Sequence, residues 1–152
     1  LGEIYRRPLA GQGTTYRYIG ATPKALPDGF ESIGDIGYMD EDGYIFLSDR
    51  RTDMIISGGA NIYPAEVEAA LESYPDVRSA VVIGLPDEDL GQTTHAIVDA
   101  PDGVREETLL DHCRERLVSY KLPRSVEFVD QPLRDDAGKV RRSALAEARR
   151  RE

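Results

Sequence analysis

The spacing of apolar residues changes character near residue 50, which limits the chain to two kinds of structure joined in series. Up to Leu47 the apolar residues come in short β-branched or aromatic runs, Glu3–Arg7, Thr14–Ile19, Ser32–Tyr38 and Tyr44–Leu47, separated by Gly, Pro and Asp. Such runs read as strands. Asp40-Glu41-Asp42-Gly43 between two of them reads as a hairpin turn, with Gly43 free to take a positive φ. Four short strands with few large aliphatic side chains make a thin core. They are expected to belong to a larger sheet or barrel.

Beyond Arg50 the pattern alternates between strand and helix. Asp53–Ile56 is a short apolar strand and Ser57-Gly58-Gly59-Ala60-Asn61 a loop. Pro64 then opens a helix at its first turn, where the missing N–H costs nothing, and Val67, Ala70, Leu71 and Tyr74 form its apolar stripe. Val77–Leu85 and Thr93–Val98 read as strands joined by a turn over Pro86–Gly91. Glu106–Leu117 reads as a helix with Leu109, Leu110, Cys113 and Leu117 inward. Val126–Val129 is a further strand and Val140–Arg150 a terminal helix. The order predicts a small α+β or α/β domain with helices packed on a sheet of about three strands.

Composition narrows the function. Over 152 residues the formal charge is −9, which disfavours a polyanionic nucleic acid as main partner. The charge is uneven: Asp40–Asp42 and Asp87–Asp89 are acidic, while Lys139–Arg151 is basic, either a solvated helix face or a contact for an anionic ligand. One cysteine, Cys113, allows no disulfide framework. It sits among apolar residues as a structural thiol, and a reducing, cytoplasmic setting is expected. No apolar run approaches the ~18 residues of a membrane span, and no segment reads as a signal peptide. The chain opens at Leu1 in strand-like sequence without an initiator Met, and is expected to be part of a longer protein.

Three clusters look chemical. Asp35 lies in Gly34-Asp35-Ile36-Gly37, either a simple turn or a carboxylate that accepts hydrogen bonds from a diol such as a ribose. Asp49-Arg50-Arg51-Thr52-Asp53 precedes the glycines at 58 and 59. That charged run is either a solvated linker or part of a site, and the glycines allow close approach of a ligand or a swing of the backbone. Lys139 follows Gly138 in Asp135-Asp136-Ala137-Gly138-Lys139-Val140-Arg141-Arg142, either a solvated loop lysine or a cation that neutralises charge on a reacting phosphate. No phosphate-cradling glycine loop is present. His95 and His112 have no partners at metal-ligand spacing, so no metal site is expected.

Taken in order, these clusters resemble the adenylate-forming superfamily of acyl-CoA synthetases, luciferases and peptide-synthetase adenylation domains, over essentially the whole chain. Gly34–Tyr38 with Asp42-Gly43-Tyr44 looks like that family's ribose-binding motif. SDRRTDMIISGGANIYPAEVE, Ser48 to Glu68, looks like its hinge and glycine loop. Tyr120-Lys121-Leu122-Pro123 resembles the motif before the last strand, and PLRDDAGKVRRSAL, Pro132 to Leu145, resembles the segment that carries the catalytic lysine.

The resemblance implies that residues 1–49 are the β-rich end of a large AMP-binding domain and residues 50–152 a mobile C-terminal domain. It implies ATP and CoA as cosubstrates, Mg2+ held by the substrate phosphates and the rest of the protein, and a carboxylic acid as the group activated. By position, Asp35 and Arg50 would contact the nucleotide, and Thr52 with Asp53 would form the hinge. Gly58 and Gly59 would border the passage for the pantetheine arm. Tyr120, Lys121 and Arg124 would meet the CoA nucleotide, and Lys139 would serve adenylation. The motif SGGANIYPAEVE resembles acyl-CoA ligases more than peptide-synthetase domains. The alternatives are another adenylating enzyme, or an interaction module that kept the fold. Two positions depart from the family pattern: Thr52 is neutral where Asp or Lys is usual, and Asp135-Asp136 stands where small, neutral or basic residues are usual. The chain alone is expected to be inactive.

Overall fold

The structure, a computed structural model, describes residues 1–9 and 24–150. The strand expected over Thr14–Ile19 lies outside the described residues. The fold is mixed α/β and divides into two compact units, Leu1–Thr52 and Asp53–Glu152.

The first unit is a three-stranded antiparallel sheet in the order β1 (Gly2–Arg6), β2 (Glu31–Met39), β3 (Ile45–Arg50). The β2–β3 turn forms where the acidic run predicts it. The Asp40 carboxylate accepts from the backbone N–H of Asp42 and of Tyr44, and Gly43 takes a φ of 86°. Gly37 is required by packing: a Cβ there would lie 2.3 Å from the Phe46 carbonyl oxygen. Glu3 ties the strands together. Its carboxylate accepts from the Ser32 hydroxyl at 2.6 Å, from Lys24 at 3.0 Å and from Arg51 at 3.3 Å. The Ser32 hydrogen bond, aided by Lys24, Tyr5 and Arg51, lowers the Glu3 pKa to about 2. Tyr38, Met39, Tyr44, Ile45, Phe46 and Leu47 remain exposed. A sheet of short strands with so much apolar surface uncovered is the thin core that the composition predicts.

The second unit is a five-stranded sheet with helices on both faces. Its strands are β4 (Ile55–Ser57), β5 (Ala60–Ile62), β6 (Ser79–Asp87), β7 (Gly91–Asp99) and β8 (Ser125–Val129), with α1 (Pro64–Glu72), α2 (Glu106–Arg114) and α3 (Arg142–Arg149). The order is β5-β4-β7-β6. β6 pairs antiparallel along the whole of β7, so the other strands divide the second edge. β4 meets β7 at Gly91, and β8 runs parallel to it from His95 to Asp99. The sheet is larger than the expected three or so strands because the short strand read near Ile56 joins it as β4, and Ser57–Asn61 turns back as a hairpin that adds β5 instead of forming an open loop. Strands of three residues carry too few positions to display a period of two.

Alternation along β6 and β7 assigns the faces. Ala80, Val82, Ala96 and Val98 point to α1 and α2, where they meet Val67, Leu71, Leu109 and Cys113. Val81, Ile83 and Ile97 point to the opposite face and meet Leu133, Val140, Leu145 and Ala146. Each fully buried Leu, Ile or Val of this kind contributes about 1.5–3 kcal/mol. Burial pushes the Cys113 thiol upward from its ordinary pKa, consistent with a packed rather than nucleophilic cysteine. α2 ends at Arg114, short of the expected Leu117, and beyond it the Arg116 N–H bonds to the Cys113 carbonyl three residues back, the tighter 3-10 pattern common at helix ends. Among the described residues no helix is long and apolar enough to cross a membrane.

Candidate active-site elements

In the first unit Asp35 and Arg50 are brought together by strand register. They are direct cross-strand partners of β2 and β3, so both side chains project on one face. The Arg50 Nε lies 4.0 Å from the Asp35 Oδ1, with Arg50 largely exposed and Asp35 about one quarter exposed. The pair presents a carboxylate acceptor and a guanidinium donor side by side. The exposed Thr52 ends this unit, in a short 3-10 turn over Arg51–Asp53.

In the second unit Gly58 and Gly59 are the two turn residues of the β4–β5 hairpin, with φ of 56° and 82°. Two consecutive positive φ values are what such a two-residue hairpin needs. The Gly58 N–H donates to the Leu90 carbonyl, which fixes the turn against the β6–β7 connection. The turn forms one wall of a groove of about 560 Å³, and Tyr120, Arg124 and Arg114 line other parts of it. Of the residues assigned to CoA, the structure therefore collects Gly58, Tyr120 and Arg124 in one groove. Gly59 lies at the adjoining apex. Lys121 turns away: its ammonium is 2.6 Å from both Glu66 carboxylate oxygens, and it tethers the segment before β8 to α1. Arg114 is a groove cation that sequence reasoning missed, because on α2 it reads as an ordinary solvated helix residue.

Lys139 sits at the exposed end of a loop built by Asp135. The Asp135 carboxylate accepts from the N–H groups of Ala137 and Lys139, at 3.0 and 2.8 Å, and Gly138 takes a φ of 72°. The same pattern of Asp, a glycine three residues on and two captured amides builds the Asp40–Tyr44 turn. Asp135 is thus engaged by backbone rather than by the lysine ammonium. Among the described residues Lys139 makes no ion pair within 4.0 Å.

Both feet of this loop are clamped on one carboxylate. Glu68 on α1 is 6% exposed at its side chain. It accepts from the Val82 N–H at 2.9 Å, from Arg142 Nη2 at 2.8 Å on each oxygen, and from Arg134 Nη2 at 3.3 Å. Arg142 also reaches Asp53, at 3.1 Å. Sequence reasoning gave no role to Glu68, Arg134 or Arg142, although Glu68 did carry a signal. Pro64, Val67, Glu68 and Leu71 share one helical face at i, i+3, i+4 and i+7, so a carboxylate occupies an inward position. His95, expected to be a packed or surface residue, is half of another brace. It shares a hydrogen bond with Ser125 at 2.7 Å and approaches Glu127 at 3.3 Å, and Glu127 is held by Arg149 of α3. That Arg149 contact, aided by His95, keeps the Glu127 carboxyl below its usual range. Among the described residues no three His, Cys, Asp or Glu side chains converge as a metal site.

Known proteins resemble this chain over most of its length. Residues 66–139 match the family model described as the AMP-binding enzyme C-terminal domain. The chain is 48% identical over 125 residues to the 2-succinylbenzoate–CoA ligase of Bacillus licheniformis, covering 82% of this chain and 26% of that protein. It is 44% identical over 128 residues to a long-chain-fatty-acid–CoA ligase of Mycobacterium tuberculosis, covering 84% and 25%. Among solved structures, o-succinylbenzoate CoA synthetase from Bacillus subtilis, in complex with its acyl-adenylate intermediate, superposes with a TM-score of 0.71 at 41% identity, over 80% of this chain and 25% of that one. The chain spans about a quarter of the length of the relatives it matches.

Proposed function

This chain belongs to the family of AMP-binding enzyme C-terminal domains, and from that premise we propose that it is the C-terminal portion of an ATP-dependent acyl- or aryl-CoA ligase that works in the cytoplasm. In this reading a carboxylic acid attacks the α-phosphate of ATP, releasing pyrophosphate and forming an acyl-adenylate. The CoA thiol then attacks the acyl carbon, releasing AMP and forming the thioester. Asp35 accepts hydrogen bonds from the ribose hydroxyls with Arg50 beside it. Thr52 and Asp53 form the hinge. Lys139 serves the first step, and the Gly58-Gly59 turn, Tyr120 and Arg124 serve the second, with Lys121 holding the segment that carries them. The acid pocket and the ligands for Mg2+ belong to the rest of the longer protein, which is the partner of this portion.

The observation that carries the reading is the placement of two functional surfaces on opposite faces of one sheet. The lysine loop is continuous with Leu133 and Val140, which pack on the Val81–Ile97 face. The groove with Gly58 and Tyr120 is flanked by Leu122, which packs on the α1–α2 face. In this reading each surface is presented to the reacting centre by its own placement of the domain. A domain that turns about residues 52 and 53 presents them in succession, and glycine at 58 and 59 keeps the passage wall free of side chains.

The physical role of Lys139 is charge. Attack of a carboxylate on a phosphate brings two anions together, and a cation placed at the shared charge stabilises that transition state. A solvent-facing lysine that makes no ion pair among the described residues is suited to that role. The test is Lys139→Ala in the longer enzyme, with the half-reactions measured separately. Adenylate formation should fall about 10²–10³-fold, while thioester formation from supplied acyl-adenylate and CoA is retained. Survival of both steps removes Lys139 from the mechanism.

A further inference from the structure

The Lys139 loop is anchored to the chain junction through a single guanidinium. Arg142 begins α3, three residues after Lys139, and its side chain is 19% exposed. One nitrogen, Nη1, donates to Asp53, the first residue of the second unit. The other, Nη2, donates to both oxygens of Glu68. Glu68 is in turn fixed to the sheet by the Val82 N–H and to the opposite foot of the loop by Arg134, which also donates to the Ala80 carbonyl at 3.3 Å. The planar fork of an arginine can hold two carboxylates at once, whereas a lysine offers a point charge.

We propose that Arg142 is a positioning residue for the adenylation step: by bridging Asp53 and Glu68 it fixes where the Lys139 loop stands relative to the chain junction. This rests on the reading of Lys139 given above. Arg142 does not itself face the solvent edge where Lys139 stands. It acts by holding the C-terminal end of the segment that carries the lysine on Glu68, the carboxylate to which Arg134 ties the other end. Positioning of this kind matters because a displacement of about 1 Å at a reacting group costs up to about 100-fold in rate. The bridge has no part in the groove lined by Gly58 and Tyr120, so the thioester step should not depend on it.

The test compares Arg142→Gln and Arg142→Lys in the longer enzyme, with Lys139→Ala alongside. The expected result for Arg142→Gln is a fall of about 10–100-fold in kcat for adenylate formation. The KM for ATP should stay within about twofold, with the thioester half-reaction unchanged. Arg142→Lys should restore only part of the loss, because it cannot serve both carboxylates. A purely structural role would lower both half-reactions together, and that outcome overturns the proposal. If Arg142→Gln does not fold, Arg142→Lys carries the same comparison. In the 152-residue chain, the amides of Ala137 and Lys139 should exchange faster in either variant, while those of β6 and β7 are unaffected. Unchanged exchange at those two amides also overturns it. If Lys139→Ala leaves adenylation intact, the underlying reading fails. If Lys139→Ala abolishes adenylation and Arg142→Gln does not alter it, only the positioning role fails.

Discussion

Glu68 is a residue at which a single change should cost the second unit much of its stability. Glu68→Ala removes a carboxylate that satisfies a buried backbone donor and faces two guanidiniums. Breaking a buried ion pair from one side costs about 3–5 kcal/mol. The lower end applies here, because both cations keep other partners: Arg142 retains Asp53, and Arg134 retains Glu72 at 3.8 Å and the Ala80 carbonyl. Glu68→Gln keeps an oxygen for the Val82 N–H but loses the charge and turns one acceptor toward Arg142 and Arg134 into a donor, so a cost below that of the alanine variant is expected. Urea unfolding followed on the amide resonances of Val81–Ile83 reports this unit alone. With a slope of about 1–3 kcal/mol per M, a loss of about 3 kcal/mol lowers the midpoint by roughly 1–3 M. Glu88→Ala, at an exposed position, is the control and should stay within about 0.5 kcal/mol. If Glu68→Ala shifts the midpoint no further than the control, Glu68 does not brace the unit, and the clamp on the lysine loop is an incidental contact.

Two further predictions concern the first unit. The Glu3 pKa lies below its ordinary value, at about 2, so its contribution is fully present above pH ~4.5 and is lost as the pH falls through about 2. Titration of the Glu3 carboxyl carbon by NMR should give a midpoint near that value, and a midpoint above 4 would refute the Ser32–Lys24–Arg51 arrangement. Gly37→Ala places a Cβ against the Phe46 carbonyl oxygen, which is backbone and cannot move aside without parting β2 from β3. A cost of about 1–3 kcal/mol should appear as faster amide exchange across that hairpin, with residues 60–130 unchanged, and equal exchange would refute the close approach.

Where the fold was legible in the sequence, one element dominated its own neighbourhood. Pro64 with the stripe Val67, Ala70, Leu71 sets a helix over Pro64–Glu72. The long apolar run around Val81 is a strand buried on both faces, which is why it lacks a clean alternation in hydrophobicity although it alternates in contact. The illegible parts were short or were decided by partners distant in sequence. β4 and β5, of three residues each, flank two glycines that read as a loop. Pro86 was placed in a turn, yet it closes β6 opposite Gln92, near the end of a strand where proline is tolerated.

The candidate site divides along the same line. The candidate residues Gly58, Gly59 and Lys139 stand on turns, and the residues around them form recognisable local patterns, as in Asp135–Lys139 and Ser57–Asn61. The groups that hold those loops are paired across long stretches of chain: Glu68 and Arg134 are 66 residues apart, and Glu68 and Arg142 are 74 apart. Nothing local marks such a pair except that each member breaks a rule at its own position. Glu68 is a charge on the buried stripe of α1, and Arg142 is a half-buried cation at the start of a helix, where the dipole disfavours it. Two unfavourable placements of opposite sign in one domain are each costly alone and compatible only if they meet. That reasoning converts a pair of local violations into a predicted contact. It also explains why Asp135, a carboxylate beside the lysine in sequence, is not the lysine's partner. Its Oδ1 is already engaged by the amides of Ala137 and Lys139 in the backbone turn.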